Sequence, residues 1–229
     1  MNQTLQSVTD VYGASVEQRN RVLRNTYWLL ALSMVPTVAG AWLGVATGIT
    51  RALTPGIGAI VFLVGAFGFM FAIEKTKNSS AGVPVLLTFT FFMGLMLSRL
   101  VGVVLGQANG ASLVMMAFAG TGTIFFGMAT LSSVIKRDLS SMGKWLFIGM
   151  IMLLVAGIAN IFIQSSALMI TLSVLAIGIF SAFILYDLKR VQDGEETNYI
   201  SATLGVYLSI YNVFQSLLSL LGIFGGDEK

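Results

Sequence analysis

Asp187-Leu-Lys-Arg-Val-Gln-Asp-Gly-Glu-Glu-Thr-Asn-Tyr-Ile-Ser-Ala-Thr-Leu-Gly-Val-Tyr-Leu-Ser-Ile-Tyr-Asn-Val-Phe-Gln-Ser-Leu-Leu-Ser-Leu-Leu-Gly-Ile-Phe224 decides the architecture. A charged loop runs into an apolar segment long enough to cross a bilayer. Within that segment Gly205, Ser209, Asn212, Ser216 and Ser219 recur at spacings of four and three. They therefore form one stripe down one helix face. Hydroxyls and amides are costly against lipid, so the stripe has to face protein or trapped water. A helix with that need belongs inside a bundle.

The rest of the chain supplies the bundle. Of its 229 residues, 56% are hydrophobic and 10% charged, against about 25% charged in soluble domains. Seven apolar runs are predicted as spans: about 26–48, 53–73, 83–105, 111–135, 145–163, 167–186 and 201–224. Each is near the roughly 20 residues a membrane helix requires. The fold class is an all-α integral membrane protein, with residues 1–25 as a polar N-terminal tail and 225–229 as a short C-terminal one. No apolar run follows early enough in the tail for a cleavable signal peptide.

Orientation follows from lysine and arginine placement. Arg19, Arg21, Arg24, Lys75, Lys77, Lys136, Arg137, Lys144, Lys189 and Arg190 all fall on one side, whereas Arg51 and Lys229 fall on the other. The N-terminus is expected in the cytoplasm and the C-terminus outside. Gly40, Gly44 and Gly48, and likewise Gly102, Gly106 and Gly110, recur at every fourth position. Such faces let helices approach closely, chiefly within the chain.

Composition removes several chemistries. With no cysteine and no histidine, thiolate metal sites, disulfides, Ser–His hydrolysis and histidine pH switching are impossible. The last span holds no lysine for a retinal Schiff base. No second aspartate meets Asp187 in the last two spans, as an intramembrane aspartyl protease requires, and no phosphate-binding glycine loop occurs. Catalysis, a bound cofactor and nucleic acid are not expected; the partner that composition does imply is the lipid bilayer.

A charge within a membrane is by default a functional candidate. Arg99 lies inside the third span, where it either snorkels to the outer surface as a structural residue or lines a polar path. Glu74 ends the second span beside Lys75 and reads as interfacial. Asp187 ends the sixth span. It is either a solvated helix-end carboxylate or, should the helix continue to Arg190, an acid one turn inside the membrane face that could hold a cation or a proton. Asp193-Gly-Glu-Glu196 lacks the ligand spacing of a calcium loop; Thr197 or Asn198 is placed to cap the last span.

These residues resemble a known family. Gly194-Glu-Glu-Thr-Asn-Tyr-Ile200 followed by Tyr207-Leu-Ser-Ile-Tyr-Asn-Val-Phe214 resembles the end of Bax inhibitor (transmembrane BAX inhibitor motif) proteins. Arg24-Asn-Thr-Tyr27, Lys136-Arg-Asp-Leu-Ser140 and Ala159-Asn-Ile-Phe162 agree with it in order. The resemblance implies seven helices with the last one surrounded by the other six. It also implies a pH-sensitive cation leak, usually of calcium, in which two aspartates on the last two helices share a proton. The first corresponds to Asp187; at the second position this chain has Ser209, so the pair is broken.

Two functions are weighed against each other. One is a cation or proton path along the last helix through Asp187, Ser209, Asn212 and Ser216, with calcium as the one possible bound ion. The other, implied by the bacterial inner-membrane branch of the family, is a binding partner that modulates an ATP-dependent membrane protease of the FtsH type, engaged through the N-terminal tail. A transporter of undefined substrate is a third possibility.

Overall fold

Ser15 opens the first helix by accepting a hydrogen bond from the Gln18 amide at 3.2 Å, which satisfies one of the orphan donors of the first turn. The computed structural model describes residues 15–225, and in them seven helices follow one another: α1 (Val16–Thr47), α2 (Pro55–Thr76), α3 (Gly82–Leu105), α4 (Gly110–Val134), α5 (Met142–Ile163), α6 (Ser166–Asp193) and α7 (Tyr199–Gly225). There is no strand among the described residues. All seven are long and apolar enough to cross a membrane. The chain is a multi-pass membrane protein, and its outward Trp42, Trp145 and Phe162, each at least 70% exposed, meet lipid rather than water.

Helix ends follow local chemistry. Thr54 accepts from the Ile57 amide ahead of Pro55, whose missing N–H costs nothing in a first turn. Gly48 and Gly194 close α1 and α6 in the left-handed conformation, at φ 67° and 83°. Asn160 accepts from the Ser165 amide at 3.0 Å, turning the chain from α5 to α6. Pro36 sits inside α1, which stays helical through it.

Two helices run more than a turn past the expected bounds, both at the end that carries the basic loops. Residues 16–25, read from sequence as tail, are the first turns of α1. At 32 residues this helix is about 48 Å long, against a hydrocarbon core of about 30 Å. Likewise α6 continues from Tyr186 to Asp193. The two projections hold each other. Val22, Val191 and Ala202 form a small buried apolar cluster, and an Arg19 guanidinium nitrogen donates to the Gln192 carbonyl. Residues 1–14 and 226–229, the remainder of the two tails, lie outside the described residues.

The polar stripe of α7 faces inward as the spacing requires: Ser209, Ser216 and Ser219 are buried. The neighbours of α7 are α6, α4, α1, α3 and, slightly, α2. The implied ring of six helices is thus a ring of five. The sixth, α5, packs on α6 and touches α2 without reaching α7. Its sequence explains why: it is apolar all round, with Leu146 its one buried residue among the described positions, and lipid satisfies such a helix as well as protein does.

Beside α7 the core has a second axis in α3, which buries ten residues. It meets α1 in the molecule's most extensive helix pairing. A Cβ added to Gly40 would lie 2.2 Å from the Phe91 carbonyl oxygen, and one added to Gly94 would lie 2.0 Å from that of Thr37. Backbone meets backbone there, so only glycine fits. Gly40 and Gly44 therefore do serve packing within the chain. The second glycine series divides its work: Gly102 faces the Arg51 side chain, Gly106 ends α3, and Gly110 begins α4 against Val104.

Candidate functional site

The continuation of α6 carries Asp187 into contact with α7. A Cβ at Gly205 would sit 2.8 Å from the Asp187 carboxylate, so the absence of a side chain at 205 makes room for that acid. Asp187 is partly buried. The charges acting on it are Arg190 and Glu196, and no hydrogen bond reaches it from the described residues. Lys189, the base next to it in sequence, pairs with Asp193 instead. Arg190 lies over the Tyr186 ring and 3.7 Å from Glu195.

Ser209 is one turn beyond Gly205, about 6 Å deeper at helical rise. Its hydroxyl donates to the Gly205 carbonyl at 3.1 Å. The Asn212 amide donates to the Leu208 carbonyl at 2.8 Å. Ser209 and Asn212 thus bond within their own helix rather than across helices, whereas the buried Ser219 hydroxyl has no partner among the described residues. Ser216 is buried further along the same face. Gly205 therefore brings Asp187 and the head of the stripe together, with no hydrogen bond between Asp187 and Ser209.

The other two charges lie elsewhere. Arg99 donates to the Leu53 carbonyl at 3.1 Å, and Arg51 reaches the Gly102 carbonyl at 3.4 Å. Together they strap the α1–α2 loop to α3 at the end opposite the basic loops. Glu74 pairs with Lys77 at 2.6 Å in an exposed ion pair, while its sequence neighbour Lys75 lies over the Phe71 ring.

At the basic end, side chains tie the connections to α7. Asn198 caps it by accepting from the Ile200 and Ser201 amides at 2.9 and 3.1 Å. Its own amide donates to the Lys77 carbonyl and to Asn78 of the α2–α3 loop. Gln192 donates to Ser132 at the end of α4. Asp138 accepts from the Ser140 amide at 2.8 Å, which with the Ser140 side chain holds its carboxyl below the ordinary 3.8.

The sequence reading missed the tyrosine pair Tyr207 and Tyr211. The Tyr207 hydroxyl lies 2.8 Å from that of Thr37 and donates to the Thr90 carbonyl, and Tyr211 donates to the Met93 carbonyl at 3.3 Å. These bonds join α7 to α1 and α3. The available signal was a phenol in an apolar helix at i and i+4, since a buried tyrosine hydroxyl needs a partner.

Comparison with known proteins covers nearly the whole chain. A family model described as inhibitor of apoptosis-promoting Bax1 matches residues 19–226. A membrane protein of Vibrio cholerae is 38% identical over 92% of this chain and 93% of its own length. The Escherichia coli modulator of FtsH protease YccA, also described as an inner membrane protein, is 37% identical over 93% of this chain and 94% of its own. A Campylobacter jejuni protein is 31% identical over 88% of each. The motifs that resembled the Bax inhibitor family are therefore local signs of a match along the full bundle, and this chain belongs to that family.

Proposed function

We propose that this protein resides in a bacterial inner membrane, with its basic end in the cytoplasm, and modulates an ATP-dependent membrane protease of the FtsH type. The observation carrying this is the 37% identity with the E. coli modulator over 93% of the chain. Two features of the fold support it. The α7 polar groups Ser209 and Asn212 are engaged with their own backbone, which suits a structural core. The start of α1 stands well beyond the hydrocarbon core at the end where a cytoplasmic protease would work. Polar residues 1–14 precede it in sequence. The test is co-purification of the protease with tagged full-length chain and with a variant lacking residues 1–14, which retains the Ser15 cap. The full chain should bring the protease down and the shortened one less of it; recovery by neither refutes the reading. Orientation is checked separately by Ser79→Cys in this cysteine-free chain, which should react with an impermeant maleimide only from the cytoplasmic face.

A cation path is the second reading, and the geometry at Asp187 favours it: a partly buried carboxylate with no hydrogen bond from the described residues, beside a glycine, at the head of a polar stripe. No three acidic side chains cluster among the described residues, so a calcium ion at Asp187 would take its remaining oxygen ligands from carbonyls, hydroxyls or water. Calcium and proton flux into liposomes decides it. Flux equal to that of empty liposomes, unchanged by Asp187→Asn, removes the path.

A further inference from the structure

The projecting start of α1 carries a lateral face to which neither reading assigns a ligand. Asn20, Leu23, Arg24, Tyr27 and Trp28 line a shallow, open depression of about 370 Å³, and their spacing places them on one helix face. A second depression of about 160 Å³ shares Asn20 and Leu23 and adds Val16, Arg19 and Gln192. We propose that this face of α1 binds the headgroup of an anionic phospholipid, with the phosphate between Arg24 and Asn20 and the acyl region against Trp28.

Depth, charge and shape agree on that occupant. Arg24 is the last charge before the apolar run of α1, which puts it at headgroup level. Trp28, 73% exposed, is one turn deeper, where an indole belongs in a bilayer. Arg19, Arg21 and Arg24 fall within six residues, and among the described residues none of them pairs with a carboxylate. The Arg19 Nε is buried without a partner there, while its other end is held by Gln192. A guanidinium offers phosphate a planar fork of donors. The competing occupant, residues 1–14 of the same chain, has Asp10 as its one acidic residue against three arginines, so a lipid phosphate is the better complement.

Trp28 reports on its own site once the other two of the three tryptophans are replaced, as Trp42→Phe and Trp145→Phe. Full-length protein is reconstituted in phosphatidylcholine with an equal mole fraction of either chain-brominated phosphatidylglycerol or chain-brominated phosphatidylcholine. The anionic lipid should be enriched about fivefold beside Trp28, the factor one interfacial arginine supplies. Arg24→Gln, an exposed change, should remove the preference while leaving the melting temperature unchanged, and millimolar inorganic phosphate should not displace the lipid. Equal quenching by the two lipids, preference retained in Arg24→Gln, displacement by free phosphate, or protection from both lipids by residues 1–14 would each overturn the assignment.

Discussion

Replacing Gly94 with alanine should open the contact between α1 and α3. The new Cβ would lie 2.0 Å from the Thr37 carbonyl oxygen and 3.0 Å from the Ala41 amide, where ordinary contact begins at 3.4 Å, so the helices must part locally by about 1.4 Å. The opposing atoms are backbone and cannot rotate away. Overpacking costs about 1–3 kcal/mol, and this site belongs at the upper end because the parting also strips dispersion contacts from neighbouring residues. Alanine returns about 1 kcal/mol through helix propensity. The net loss is about 2 kcal/mol, or a fall of about 4–8 °C in Tm for a chain of this size. The damage should reach α7, because Thr37 also carries the hydroxyl that meets Tyr207. Gly68→Ala is the control: a Cβ there meets nothing within 4 Å, so stability should hold or rise by up to about 1 kcal/mol. Melting is followed by circular dichroism in mild detergent. A Gly94→Ala protein that melts with or above the wild type would refute the close backbone packing.

Other perturbations probe the core and the basic end. Tyr207→Phe deletes the bonds to Thr37 and Thr90 and should destabilise by about 0.5–1.5 kcal/mol, the net worth of an ordinary hydrogen bond, because Thr37 keeps its own bond to the Ser33 carbonyl; an unchanged melting curve would show the phenol to be idle. Asn198→Ala removes the α7 cap and the tie to Lys77, at about 1 kcal/mol for the cap alone. Limited proteolysis should then cut the α2–α3 loop sooner, and equal cutting rates would count against the tie. The depressed Asp138 carboxyl stabilises its turn fully above the ordinary 3.8, and that contribution disappears as pH falls through its lower folded value. The Ser140 amide shift should titrate with a midpoint below 3.8 in the wild type and stay flat in Asp138→Asn; a midpoint at or above that value contradicts the hydrogen bond.

Sequence alone determined the membrane fold, because hydrocarbon imposes one rule on every segment: satisfy the backbone internally over some 20 apolar residues. The inward stripe of α7 was legible for the same reason, since serines placed every three or four residues cannot face lipid. The family was legible in Gly194–Ile200 and Tyr207–Phe214. What α1 and α6 do beyond the bilayer was not. No apolar period marks residues 16–25, and they become helix through a cap at Ser15 and a contact with the end of α6, which is remote in sequence. The same remoteness hid the role of Gly205. In the sequence it is one more small residue; in the structure it is the space in which the carboxylate of Asp187 lies. Tertiary structure also set α5 outside the central ring, because an all-round apolar helix carries no stripe to say which face it buries. Periodicity reports the solvent each face requires, while the partner of a side chain depends on which distant backbone comes close enough to touch it.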